Sequence, residues 1–224
     1  MRDIVLGEKI LQAHTEITEE NRKLLAGHDI LTINLMGSPG AGKTSVLERL
    51  IPSLKATVNM AVIEGDLYTS KDAARIEAQE IPVAQINTRG GCHLDGRMIA
   101  GALAQLPLDL LELLIIENIG NLVCPAAFDL GEDLRVSMLS VTEGEDKIAK
   151  YPLMFRDVAA VILNKVDLLP HTTFDRQAFY EDLRQINPQV PVFEISCRLN
   201  TGISEFADWC VHHIKQQRDA AQAD

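Results

Sequence analysis

Residues 37 to 44 read Gly-Ser-Pro-Gly-Ala-Gly-Lys-Thr, directly after the apolar run Ile30 to Met36. The run has the length and composition of a buried strand, and the segment after it reads as the start of a helix. A strand, a glycine-rich loop and a helix N-terminus in that order converge backbone N–H groups on one anion site. Gly37, Gly40 and Gly42 let the chain turn tightly and admit a phosphate close to the backbone. Ser38, Ala41 and Ser45 complete the loop around the nucleotide. Lys43 is placed to reach the β- and γ-phosphates, and the Thr44 hydroxyl to ligate Mg²⁺. A chain with this motif is constrained to an α/β sandwich with the loop at a sheet edge.

The rest of the sequence agrees. Short apolar runs at Asn59–Glu64, Val83–Asn87, Leu113–Glu117, Arg135–Val141, Ala159–Leu163 and Val190–Ile195 alternate with helical patterns at 44–51, 70–80, 94–106, 174–186 and 203–217. Runs that are apolar on both faces predict a mostly parallel sheet covered by helices on both sides. Ahead of it, Leu6, Ile10, Ala13, Ile17 and Leu24 recur at helical spacing, which predicts an amphipathic helix ending near Gly27. The expected division is a helical extension over 1–28 and one P-loop domain over 29–224. The core must be aliphatic, because only 4% of residues are aromatic.

A net charge of −11 argues against non-specific nucleic-acid binding and against anionic membranes. No stretch has the apolar length of a membrane span, and the first residues lack a secretory apolar core. Four scattered cysteines form no compact disulfide framework. A reducing cytoplasm is the expected location.

In such sheets ligands sit at the carboxyl ends of strands. At the end of one apolar run stands Asn164-Lys165-Val166-Asp167. An ionised carboxylate only accepts hydrogen bonds. Guanine presents two adjacent donors on its Watson–Crick edge, whereas adenine presents an acceptor at N1. Asp167 therefore selects guanine, Asn164 can bond its other edge, and the Lys165 stem can cover its face. Ser196, Cys197 and Arg198, after the next strand, form the loop expected to back the base. The expected ligands are GTP and GDP with Mg²⁺. Glu117, closing its strand, is expected to hold Mg²⁺ directly or through water, with the Gly120 N–H meeting the γ-phosphate. Asp66 is expected to orient the attacking water or a Mg²⁺-bound water. Lys43, Asp66 and Glu117 thus form the expected catalytic set, and Thr44, Asp66 and Glu117 the Mg²⁺ set. Asp72 serves either the same purpose or none beyond a solvated helix charge.

A second constellation is Gly90-Gly91-Cys92-His93-Leu94-Asp95 with Cys124, 32 residues after Cys92. Both segments follow strands of one sheet, so their loops can meet. Two thiolates and an imidazole suit Zn²⁺ or Ni²⁺. Three ligands are one short of a closed tetrahedral site, which two copies across a two-fold axis could complete. The other reading makes Cys92 and Cys124 small buried hydrophobes.

Taken in order, GSPGAGKT, EGD, RGGCHLD, ENIGNLVCP and NKVD closely resemble the HypB family, the nickel-insertion GTPases of [NiFe]-hydrogenase maturation and relatives of the urease accessory GTPase UreG. The resemblance covers nearly the whole chain from Ile30. GCHLD with NLVCP is its most specific part, because generic P-loop GTPases have neither. It implies a SIMIBI-class GTPase fold and a Ni²⁺ or Zn²⁺ site at Cys92, His93 and Cys124. It also implies slow hydrolysis, a GTP-dependent homodimer, transfer with a HypA-type nickel chaperone, and indirect service to a hydrogenase large-subunit precursor. Many members carry an N-terminal Cys-x-x-Cys-Gly-Cys nickel site or a His-rich tract. Here no cysteine precedes Cys92, and His14 and His28 are isolated, so metal handling is expected to rest on the later cluster.

The remaining candidates have plainer readings. Cys197 and Cys210 are expected to pack, and His212-His213 to be a solvated helix end. The first helix either docks the HypA-type partner or packs on its own domain. The rival to the whole reading is a related GTPase chaperone for urease or a cobalamin enzyme, with structural cysteines.

Overall fold

The computed structural model describes the backbone of residues 3–221 and the side chains of residues 15–220. Leu6, Ile10 and Ala13 of the predicted apolar stripe therefore lie outside the described side chains. The first helix, α1, spans Asp3–Gly27. The sheet strands are β1 (Leu31–Gly37), β2 (Met60–Asp66), β3 (Val83–Asn87), β4 (Leu113–Glu117), β5 (Leu134–Ser140), β6 (Ala160–Asn164) and β7 (Val192–Ile195). Between and after them run α2 (Lys43–Leu54), α3 (Lys71–Glu77), α4 (Gly96–Leu103), α5 (Lys147–Lys150), α6 (Leu153–Arg156), α7 (Arg176–Ile186) and α8 (Ile203–Ala221).

The seven strands form one sheet in the order β3-β2-β4-β1-β5-β6-β7. Every pairing is parallel, so the expected "mostly parallel" sheet is wholly so. Alternation within each strand explains the continuous apolar runs. Leu31, Ile33 and Leu35 of β1, with Val62, Leu113 and Ile115, face α2 and α8. Ala61, Ile63, Leu114 and Ile116 face the other side, with Leu25 of α1 and Ile99 of α4. A third cluster joins Leu139, Val161 and Leu163 to Phe155 and Phe179. Both faces are covered, as the parallel sheet requires.

Local chemistry set several boundaries that periodicity misplaced. The α4 helix begins at Gly96 rather than Leu94 because Asp95 is its N-cap, accepting from the Met98 amide. The α7 helix begins at Arg176 rather than Phe174 for the same reason, with Asp175 capping the Ala178 amide. The α3 helix stops at Glu77, and Glu80 turns left-handed at φ 60. Short 3-10 turns at Cys124–Ala127, Val141–Glu143 and Val166–His171 had no periodic signal.

The second half of α1 packs on the domain. Asn21 is buried and its side-chain amide donates to the carbonyls of Gly96 and Leu130. Gly96 lets α1 approach closely, because a Cβ there would lie 2.6 Å from the Thr18 hydroxyl. Among the described residues no helix is long and apolar enough to cross a membrane.

Candidate nucleotide and metal site

The phosphate loop lies where β1 gives way to α2, at the carboxyl edge near the middle of the sheet. Gly40 (φ 76) and Gly42 (φ 99) occupy the left-handed region that favours glycine. Gly37 is required for a different reason. A Cβ there would sit 2.6 Å from the Met138 carbonyl oxygen on β5, so closeness rather than φ decides the residue. The loop bounds a cleft of about 390 Å³, lined also by Glu64, Asp66, Asp72, Glu117 and Lys165. A groove of about 450 Å³ at the opposite end of the sheet is lined by Asp109, Glu112 and Arg218 and carries no phosphate-binding loop.

Lys43 is buried and its ammonium donates to the carbonyls of Gly37 (3.4 Å) and Ser38 (3.3 Å). Burial pushes its pKa below the ordinary lysine value, against the pull of Glu117 and other carboxylates. Thr44 donates its hydroxyl to Glu117 Oε1 at 2.7 Å, so the expected pair of cation ligands meets between the start of α2 and the end of β4. Ser38 donates to Glu143, whose carboxylate also accepts from the Ser140 amide.

The residue that sequence reasoning passed over is Glu64. It pairs in register with Glu117 on neighbouring strands and is buried. Burial, then the charge of Glu117, raises its pKa to about 8. Burial raises that of Glu117 too, opposed by Lys43 and Thr44. Glu64 Oε2 and Glu117 Oε2 are both buried with no hydrogen-bond partner. Unpartnered carboxylate oxygens beside a phosphate loop are the donor type that a divalent cation takes. The signal was present in Glu64-Gly65-Asp66, but only the strand register aligns the first acid with Glu117. Asp66 joins Glu64 and Asp72, with ligand atoms within 4.8 Å of one another. Its own carboxylate accepts from the Leu67 amide and the Thr69 hydroxyl, so a local turn aims it. Asp72 lines the cleft and is also ion-paired with Arg75 at 2.7 Å.

At the base end, Asn164 is fully buried behind the phosphate loop. Its amide donates to the Ala41 carbonyl at 2.9 Å, and its oxygen faces the Cys197 thiol. This arrangement braces the loop. Lys165 (φ 61) lies across the cleft with its ammonium on the Gly40 carbonyl. The Ser196 hydroxyl donates to Asp167 at 2.6 Å and accepts from the Leu199 amide, fixing the carboxylate. Burial raises the pKa of the half-buried Cys197, and Arg198 is exposed. Cys210 is buried and its thiol is pushed to about 12, which makes it a packing residue.

The second constellation also assembles. Cys92 Sγ lies 3.1 Å from Cys124 Sγ and 3.5 Å from His93 Nδ1, and both cysteines are free thiols. The His93 ring stacks on Phe128, centroids 3.7 Å apart. Contact with Cys92 raises the Cys124 pKa. Cys92 is exposed and Cys124 partly so. The reading of both as buried hydrophobes does not describe them.

Known proteins resemble this chain throughout. Residues 31–194 match the CobW/HypB/UreG nucleotide-binding domain. The hydrogenase maturation factor HypB of Escherichia coli is 48% identical over 89% of this chain and 69% of its own length. The solved structure of HypB from Helicobacter pylori in complex with nickel superposes with a TM-score of 0.87 at 34% identity, covering 91% of this chain and 96% of that one. The signal recognition particle receptor FtsY of Elizabethkingia anophelis, at 14% identity and a TM-score of 0.56, shares the fold. With its nucleotide-binding domain, its seven-stranded parallel sheet and this degree of identity, the chain belongs to the HypB family of hydrogenase maturation factors.

Proposed function

We propose that this protein is a GTP-hydrolysing metallochaperone that carries Ni²⁺, or Zn²⁺ in its place, toward [NiFe]-hydrogenase maturation. The observation that carries the reading is the segment Glu117–Cys124. It starts on a carboxylate bonded to Thr44 of the phosphate loop and ends, seven residues on, at a thiol 3.1 Å from Cys92. One ion could take both sulfurs and the neighbouring imidazole, whose donor set suits nickel and zinc alike. Membership of the family, and the relative whose solved structure contains nickel, support the same reading.

In this mechanism the backbone amides of residues 40–45 and Lys43 hold the phosphates, and Asp167 selects guanine. Thr44 and Glu117 would hold Mg²⁺, with Glu64 beside them. Bound there, Mg²⁺ would neutralise charge developing on the γ-phosphate. Asp66 orients the attacking water, and Gly120 presents its N–H to the γ-phosphate. Slow hydrolysis is what membership of the family implies. Residues 29–224 act as the GTPase domain and 1–28 as a helical extension. The GTP state associates as a homodimer in the cytoplasm. Val123, 60% exposed beside Cys124, and Phe128 are apolar neighbours of the cluster that a second protomer would cover. A HypA-type chaperone exchanges metal with the site, and a hydrogenase large-subunit precursor receives it indirectly.

The test is nickel binding by Cys92→Ala and Cys124→Ala with GTP turnover followed in parallel. Loss of stoichiometric nickel with retained turnover is expected. Intact nickel binding in both variants would remove the metal assignment and favour a GTPase that gates another metalloenzyme.

A further inference from the structure

The phosphate loop and the thiol cluster share one residue. The Asn121 amide donates to the Gly37 carbonyl at 3.0 Å, an isolated antiparallel bridge at the base of the phosphate loop. The same carbonyl accepts from the Lys43 ammonium at 3.4 Å. The Asn121 side chain faces the other way. Its Oδ1 accepts from the amides of Val123 (2.8 Å) and Cys124 (3.3 Å), and its Nδ2 donates to the Cys92 carbonyl at 3.3 Å. One asparagine thus caps the turn that carries Cys124, ties it to the turn that carries Cys92, and hangs both from the phosphate loop. The adjoining contact is rigid. A Cβ on Gly120 would lie 2.8 Å from the Pro39 backbone, so only glycine lets the two loops touch.

We propose that Asn121 is the positioning residue that couples the nucleotide to the metal site, an inference that rests on the metal assignment above. Phosphate competes with the Gly37 carbonyl for the Lys43 ammonium. A carbonyl relieved of that ammonium binds the Asn121 amide differently. Any resulting shift reaches both cysteine turns through one side chain. By reciprocity, metal that fixes the turns must alter nucleotide affinity by the same factor. Both chemical halves of the asparagine are used, since Asp would keep the acceptor for the Val123 and Cys124 amides but lose the donor to Cys92.

The experiment measures Ni²⁺ affinity of the reduced full chain with GDP and with a non-hydrolysable GTP analogue. It compares the unaltered protein with Asn121→Ala, Asn121→Asp, Cys92→Ala and Cys124→Ala. GDP affinity reports that each variant is folded. The expected result is an affinity that differs between nucleotide states in the unaltered protein. In both Asn121 variants that ratio falls toward one. In Asn121→Ala the site also weakens by about 10-fold to 100-fold, the usual effect of losing a group that orients metal ligands. The ratio is the decisive readout, because a merely structural residue would weaken both states equally. An unchanged ratio in Asn121→Asp and Asn121→Ala overturns the proposal, whether or not affinity falls. Nickel binding that survives Cys92→Ala and Cys124→Ala instead removes the metal assignment itself, and this inference with it.

Discussion

Under the proposed function, Asp167 and Glu64 are single carboxylates given opposite tasks by their surroundings. Asp167 is only half-buried and is aimed by Ser196. Replacing it with Asn puts a donor opposite the guanine donors. Two hydrogen bonds to a charged acceptor are lost, at about 1.5 kcal/mol or more each, so GTP affinity should fall by roughly 100-fold or more. Competition binding with GTP and xanthosine triphosphate checks this, because the 2-oxo group of xanthine accepts what Asn donates. Unchanged GTP affinity would remove the residue from base recognition. Glu64 is buried against Glu117 and holds its proton up to about pH 8, whereas an ordinary Glu releases it near 4.5. Between those values the folded state binds more protons than the unfolded chain, so stability falls as pH rises from about 5 to about 8. In nucleotide- and magnesium-free protein, Glu64→Gln should flatten that slope in the melting temperature. An identical slope in both proteins would place the titrating group elsewhere.

At the level of elements, the boundary between what the sequence shows and what it hides is physical. β4 is buried on both faces and apolar up to Glu117, so it was readable to both ends, and the phosphate loop announced its own strand and helix. Cysteine and histidine at consecutive strand ends were legible because parallel strands gather their carboxyl ends at one edge. Pairings between elements far apart in the chain were not legible. Asn34 of β1 donates to Glu132 and accepts from Asn118, and Glu132 pairs with Arg135. Nothing in the sequence around Asn34 shows that a buried polar chain crosses the sheet there. Arg135 then donates to the carbonyls of Ala126 and Phe128, steadying the turn whose ring carries His93. Phe128→Ala removes the surface that orients the imidazole. Nickel affinity should drop by about 10-fold with GDP affinity unchanged, as measured by competition with a chromophoric chelator. An unaltered affinity would make the stacking incidental. Against the same turn, Asn21→Ala leaves two buried carbonyls without their donor and should cost about 1–3 kcal/mol in denaturant unfolding. That result would make the second half of α1 part of the folded unit rather than an appendage.

For the whole molecule, one edge of one sheet brings together the phosphate loop and the thiol cluster, and the eight residues from Glu117 to Cys124 connect them. A protein of net charge −11 pays electrostatically to bring two copies together, so association should depend on what neutralises or bridges the shared face. Val123→Glu, adding charge beside the exposed cluster, should reduce association in the GTP state while leaving nucleotide binding intact, as read by mass in solution. The most direct measurement is a Ni²⁺ titration of the reduced protein, run with GDP and with a non-hydrolysable GTP analogue, following thiolate-to-nickel absorption and oligomer mass together. The account predicts a thiolate–nickel band whose strength or affinity changes with the nucleotide, alongside a larger dimer fraction in the analogue state. Guanine nucleotide bound with no thiolate–nickel band in either state would contradict it, and would leave Cys92 and Cys124 without a role in metal transfer.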